Sequence, residues 1–461
     1  MSDVRLPRTN PLTPEWLDVP DDLNALDPVL WPASVQRAAT GELGFKGHGV
    51  GDLVAHFGSP LYLIDEGEFR SRARAFSSAF ARWDVYYAGK AFLCRAVARW
   101  VRQEGLGLDV CSGNELAVAL SAGFPPARIA MHGNNKSVAE LTYAIEQGVG
   151  RIVVDSFEEI DRIEAIAAAR DVRVTVLVRV TTGVQAHTHE YIATAVEDQK
   201  FGFSIHSGQA LEALTACHGS PHLRLAGIHS HIGSQIFGTA AFRVAARRAL
   251  ELVAQFRTHT GSALAELNLG GGYGASLTAQ DNPSTPADLR DGLTGIVDET
   301  CRELGLDPLK LAIEPGRAIV GPAGVALYTV GTIKPVAVET GEYRTYVSVD
   351  GGMSDNIRPA LYHADYTAVV ANRSSDAEPL LARVVGKHCE SGDILVRDVY
   401  LPGDLRPGDL LAVPGAGAYA RSLASNYNHA LKPAVVAIGL SEVWPIVRRE
   451  TLDDLLALDV G

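Results

Sequence analysis

Between Trp83 and Ile313 the sequence repeats one pattern. A short run rich in Val, Ile and Leu is followed by polar or glycine residues, then by an Ala-rich stretch with apolar residues three and four apart. The runs are Asp84–Tyr87, Leu108–Cys111, Arg128–His132, Arg151–Val154, Val172–Val180, Leu223–His229, Leu264–Leu269 and Leu309–Ile313. The stretches between them include Glu115–Gly123, Ala139–Gly148, Glu158–Ala169, Gly208–Ala216, Phe242–Thr258 and Asp288–Gly305. A continuous apolar run suits a strand buried on both faces, and the three-and-four spacing marks one face of a helix. Strand then helix, repeated about eight times over ~250 residues, is the arithmetic of a closed (β/α)8 TIM barrel. A doubly wound open sheet is the rival. It usually carries a Gly-rich dinucleotide turn after its first strand, and none follows Asp84–Tyr87.

After about Gly321 the period changes to two, with Gly and Pro punctuation, in Val325–Pro335, Arg344–Asp350, Ala382–Lys387, Asp393–Tyr400, Asp409–Val413 and Ala434–Arg448. That is the mark of a mainly antiparallel sheet. The expected division is a barrel over residues 64–322 and a β-rich domain from residues 1–63 and 323–461. The first twenty residues, with Pro7, Pro11, Pro14 and Pro20, read as a loosely held arm.

Composition narrows the function classes. The 461 residues carry a net charge of −13, which argues against nucleic acid and anionic membrane as partners. Five widely spread cysteines, Cys94, Cys111, Cys217, Cys301 and Cys389, form no CxxC pair, so neither a disulfide framework nor a zinc ribbon is expected. No apolar run approaches the ~20 residues of a membrane helix, and the N-terminus is not signal-like. A cytoplasmic protein is the expectation.

Barrel chemistry stands at the C-terminal ends of strands and in the loops that follow. Those positions hold Lys90, Asp109 with Glu115, His132 with Asn134, Arg179, the group His229, His231 and Ser234, the triplet Gly270, Gly271 and Gly272, and Glu314 with Arg317. The glycine triplet alone could be a tight turn. After a seventh strand it stands where barrels bind phosphate through bare backbone amides, and Ser234 and Tyr419 could add hydroxyl donors. Lys90 alone could be a lysine snorkelling to the rim. Partly desolvated, it becomes a nucleophile that forms a Schiff base with an aldehyde. Lysine plus phosphate site points to pyridoxal phosphate. Glu314 could be an ordinary ion-pair partner. Placed at the cofactor's pyridine nitrogen it would favour the protonated ring, a strong electron sink, and so decarboxylation over plain racemisation.

The pairs His187–His189 and His229–His231 invite a rival, a zinc-dependent barrel hydrolase, because HxH puts two imidazoles on one strand face. Such a site needs further ligands and leaves Lys90 and the glycine triplet without a role. No metal is expected.

Taken together, Tyr87-Ala88-Gly89-Lys90-Ala91, His229-Ser230-His231-Ile232-Gly233-Ser234-Gln235, Gly270-Gly271-Gly272, Glu314-Pro315-Gly316-Arg317, Cys389-Glu390-Ser391-Gly392-Asp393 and Gly417-Ala418-Tyr419 resemble the fold-type III pyridoxal-phosphate decarboxylases, whose barrel is of the alanine racemase type. His187-Thr188-His189-Glu190 leading to Lys200-Phe201-Gly202, Asn134-Asn135-Lys136 and Arg358-Pro359-Ala360-Leu361-Tyr362 resemble the branch acting on diaminopimelate. The likeness runs in unbroken order from about Tyr62 to Arg449.

The resemblance implies decarboxylation of meso-diaminopimelate to L-lysine by a homodimer with shared sites. It implies that Lys90 carries the cofactor, His231 stacks on its ring and Glu314 meets its nitrogen. Asp109 and Glu115 would stand beside the lysine and phosphate, with Ser234, Gly270–Gly272 and Tyr419 on the phosphate. Arg317, Arg358, Tyr362, Glu390 and Tyr419 would bind substrate. Cys389, reaching in from the partner chain, and His231 would be the candidate proton donors. Two alternatives follow from the same likeness. An amine-ended substrate would want an acidic residue where Arg358 stands. A non-catalytic relative would have lost the lysine, the cysteine or the second domain, and this chain keeps all three. Where relatives often continue Tyr-Asn-Gly/Ser-Arg-Pro-Arg-Pro, this chain reads Tyr427-Asn428-His429-Ala430-Leu431-Lys432-Pro433, and Arg421 stands at another variable position.

Overall fold

The computed structural model describes residues 10–184, 198–339 and 341–461. Pro7 and the His187-Thr188-His189-Glu190 motif lie outside the described residues. The chain divides into two compact units, one of Arg70–Ala275 with Pro283–Ile319, the other of Met1–Phe69, Ser276–Asn282 and Val320–Gly461.

The first unit is a closed barrel of parallel strands: Asp84–Ala88, Gly107–Val110, Ile129–Met131, Arg151–Val154, Val174–Thr181, Leu223–Ser230, Glu266–Asn268 and Lys310–Ile313. Each pairs with the next, and the last returns to the first through Ala312↔Asp84 and Ile313↔Val85. Closure excludes the open sheet and leaves no barrel edge unpaired. Val85, Tyr86, Tyr87 and Ala88 are all buried, which is why these strands read as continuous apolar runs. The intervening helices start where the sequence supplies caps. Ser112, Ser156 and Ser137 accept the backbone N–H three residues on, and at Ser137 the Glu140 side chain completes a capping box. Thr285 caps Pro286–Leu304 in the same way, and Gly305 ends it at φ 60°. At the N-terminal end of the barrel Arg151 grips Glu266 with two bonds of 2.6 and 2.7 Å.

The second unit holds a mixed nine-stranded sheet and a three-stranded one from the N-terminal segment. Leu61–Asp65 is antiparallel to Gly324–Ala337 and parallel to Ala434–Ile438. The single run expected over Ala434–Arg448 is two antiparallel strands, Ala434–Ile438 and Val443–Val447, because the chain turns at Gly439, whose N–H bonds Glu442 O at 2.8 Å. Leu43, Phe45, Leu63, Leu327 and Val436 belong to its apolar core. Behind it lies a buried polar cluster in which Asp355 accepts from Tyr328 Oη at 2.7 Å and from Gly352 N at 2.9 Å. Burial pushes its carboxyl up to about 7. Among the described residues no helix is long and apolar enough to cross a membrane.

Candidate active site

Lys90 stands in the 3-10 turn Gly89–Ala91, immediately after the first barrel strand. It is exposed, so the desolvation expected from the sequence is not supplied by the chain on its own. Its field comes from carboxylates. Asp109, in the second strand, is buried, and burial pushes its carboxyl up to about 6, while His132 and Lys90 pull it down and Glu314 pushes it up. Glu115 lies in the first turn of Gly113–Ser121, where its Oε2 accepts the Cys111 N–H at 2.6 Å. Burial raises this acid too, against that bond and the Lys90 charge.

Glu314, directly after the eighth strand, is buried, with 4% exposure. Oε1 accepts from Asn268 Nδ2 at 2.7 Å, and Oε2 accepts from His229 Nε2 at 3.0 Å. His132 Nε2 approaches Oε1 to 3.0 Å, out of line for a hydrogen bond, so its contribution is electrostatic. Burial alone would raise this acid, yet His132 and His229 outweigh it and hold the carboxyl well below the usual range. The two imidazoles pack edge-on, 4.7 Å apart. The ligating atoms of His132, His229 and Glu314 lie within 4.8 Å of one another, a spacing a metal ion could use. A carboxylate clamped between two imidazoles has that spacing as well, and His231, the other half of the HxH pair, is not in the group.

His231 follows the sixth strand. Burial lowers its imidazole well below the ordinary value, and Lys90, Arg179 and His229 push the same way. The Gly271 N–H donates to its Nδ1 at 3.2 Å, so the ring is neutral with its proton on Nε2. The glycine triplet is demanded by packing: Cβ atoms at Gly270, Gly271 and Gly272 would collide with the carbonyl oxygens of Ser230, Glu314 and Gly233. Gly270 also has φ 71° and Gly272 φ 110°, conformations L residues rarely adopt. The Gly270 N–H bonds Asn268 Oδ1 at 2.8 Å. Two of the three amides expected to face a phosphate are therefore engaged within the chain. The Gly272 N–H has no partner among the described residues. Arg317, buried at the start of the helix Arg317–Val320, donates from Nη2 to Ser234 Oγ at 2.9 Å.

The barrel thus gathers Lys90, Asp109, Glu115, His231, Ser234, Gly270–Gly272, Glu314 and Arg317 on its strand ends and the loops after them. Sequence reasoning left His132 without a role and did not single out Asn268. The one signal for Asn268 is its place at the end of a strand, two residues before the glycine triplet.

The remaining expected residues belong to the other unit. Arg358 opens the short helix Arg358–Tyr362, is 2% exposed and bonds the Tyr366 hydroxyl through Nη1. Its Nε is buried with no hydrogen-bond partner among the described residues. Tyr362 and Tyr419 are half-buried, and Tyr419 has φ 61°. Cys389 and Glu390 are exposed.

Residues 66–321 match the family described as pyridoxal-dependent decarboxylase, pyridoxal binding domain. A curated diaminopimelate decarboxylase of Mycobacterium tuberculosis is 52% identical over 445 residues, spanning 95% of this chain and 100% of its own. One from Bacillus subtilis is 45% identical over 412 residues, 88% of this chain and 93% of its own. Among solved structures, the diaminopimelate decarboxylase of M. jannaschii in co-complex with L-lysine matches with a TM-score of 0.86 at 30% identity, covering 93% of this chain and 98% of that one.

Proposed function

This chain belongs to the pyridoxal-dependent decarboxylases, among the diaminopimelate decarboxylases, and on that premise we propose that it converts meso-diaminopimelate to L-lysine and CO2 at the C-terminal end of its barrel. Its cofactor is pyridoxal phosphate. The donor set fits that group: an ionised, buried glutamate, a neutral imidazole with a fixed ring, a lysine, and a glycine turn with a serine hydroxyl stand at one barrel end. The observation that carries the reading is Glu314, ionised and held by Asn268, His229 and His132.

When bound, pyridoxal phosphate supplies an electron-withdrawing ring that takes up the electron pair left as the Cα–carboxylate bond breaks. Lys90 would provide the amine that holds the cofactor. Glu314 would face the ring nitrogen, where a fixed anion would oppose loss of its proton. His231 offers its ring face, with orientation set by the Gly271 N–H. Ser234 and the Gly272 amide are the phosphate donors this site favours, with Gly270 and Gly271 as its packed floor and Tyr419 as a further hydroxyl. Asp109 and Glu115 balance the charge of Lys90.

A proton must replace the lost carboxylate at Cα. His231 is poorly suited, because its only N–H is that of a neutral ring and giving it up would leave an imidazolate. Cys389 is the better donor. Arg317, Arg358, Tyr362, Glu390 and Tyr419 are the residues for the substrate itself. The unpartnered Nε of buried Arg358 suits a carboxylate at the remote end and disfavours an amine-ended substrate.

The reading includes a cytoplasmic homodimer with Cys389 and Glu390 serving the partner's site, and a division of labour between the barrel and the β-rich unit. Mixing tests it. Lys90→Ala and Cys389→Ala chains, each inactive, are expected to recover about a quarter of wild-type turnover once subunits have exchanged statistically, as one site in the hybrid regains both residues. No recovery despite measured exchange would place both residues in one chain.

A further inference from the structure

Glu390 sits between the strands Pro379–Val385 and Ile394–Pro402, and an exposed carboxylate in such a turn ordinarily samples many rotamers. This one is held. Its Oε1 accepts a hydrogen bond of 2.7 Å from the Tyr427 hydroxyl. The Tyr427 ring rests against His388, with centroids 5.2 Å apart at 49°. His388 immediately precedes Cys389 and is itself buried. Both of its ring nitrogens are engaged: Nδ1 donates to Asn428 Oδ1 at 2.9 Å, and Nε2 meets Ser354 Oγ at 2.8 Å. Asn428 reaches it from a left-handed backbone, φ 50° and ψ 30°, followed by His429 at φ 57°.

Asp393 closes the other side of the turn. Its two oxygens accept the Met353 N–H at 2.6 Å and the His388 N–H at 2.7 Å. Three stretches far apart in sequence are therefore tied at one place: the segment that leads into Arg358, the Cys389–Glu390 turn, and the Tyr427–His429 segment.

The geometry points to Tyr427 and His388 as positioning residues of the substrate site, aiming the Glu390 carboxylate at an ammonium group of the substrate and fixing Cys389 beside it. The inference rests on the reading above that Glu390 contacts substrate. A phenol on one carboxylate oxygen leaves the other for an N–H donor. The Tyr427 hydroxyl acts on Glu390, so its removal changes affinity. His388 carries both neighbours, so it affects affinity and rate together.

The test uses full-length, cofactor-loaded enzyme with meso-diaminopimelate. Tyr427→Phe removes one oxygen and keeps the ring on His388. It should raise KM about five- to tenfold, the loss of one hydrogen bond, with kcat within about twofold and the visible absorbance of the bound cofactor unchanged. Glu390→Gln should also raise KM, and adding Tyr427→Phe to it should change KM little, because the phenol acts through the carboxylate. His388→Asn, which keeps a donor toward Asn428, should retain more activity than His388→Ala. An unchanged KM in Tyr427→Phe, alongside a raised KM in Glu390→Gln, would overturn the positioning role while leaving the reading of Glu390 intact. An unchanged KM in Glu390→Gln would overturn that reading and the inference built on it. Full additivity of the two changes would show that Tyr427 does not work through Glu390.

Discussion

Lys90→Ala is expected to abolish turnover of meso-diaminopimelate, a loss on the order of 10⁴-fold or more, because the variant loses the amine that attaches the cofactor. Within the barrel unit, Lys136 is the nearest alternative in sequence. Its Nζ is buried and committed, 2.7 Å from Glu159 and bonded to the carbonyls of Gly133 and Val153. The same substitution should remove the visible absorbance of the protein-attached cofactor, read in a spectrophotometer after dialysis. The fold should persist, since Lys90 is exposed and its removal leaves no cavity. Retention of either turnover or the attached chromophore would dismiss the assignment of Lys90.

The second large effect is expected at Glu314. Glu314→Gln keeps the shape and removes the charge. It should cost about 10²- to 10³-fold in kcat, the scale of losing one preorganised electrostatic partner. It should leave the cofactor bound and its absorbance visible, because attachment depends on Lys90. The amide also conflicts with its surroundings: Asn268 Nδ2 and His229 Nε2 both donate to the carboxylate, so one of them would face an NH2 group. Some loss of melting temperature should accompany the loss of rate. Steady-state kinetics beside a spectrum of the same preparation separates the two effects. A drop in kcat of less than tenfold, with cofactor bound, would mean that the Glu314 charge is not what the reaction uses.

Much of this site could be read before any coordinates. Barrel strands announce themselves as unbroken apolar runs because both their faces are buried, and the residue at the end of each run is then a candidate by position. That position is what singles out Lys90, the glycine triplet and Glu314 as candidates. His132 and Asn268 stand in equivalent places, yet a lone polar residue at a strand end does not reveal which way it faces. Only closure of the barrel brings them against Glu314. Leu61–Asp65 pairs with Gly324–Ala337 and Ala434–Ile438, hundreds of residues away, and no local pattern names such distant partners. The break at Gly439 was hidden because the flanking residues keep the period of two. Arg358, Tyr362 and Glu390 came from resemblance alone. Nothing in the sequence pairs His388 with Tyr427, since ring contacts between separate turns leave no periodic trace.

The central claim is the reaction itself. Purified protein with pyridoxal phosphate, incubated with meso-diaminopimelate and followed by mass spectrometry, should yield L-lysine, with no decarboxylated product when lysine or ornithine is offered instead. Absence of lysine from protein whose spectrum still carries the bound cofactor would contradict the account of the substrate and turn attention to Arg358 and the Tyr427–Pro433 segment.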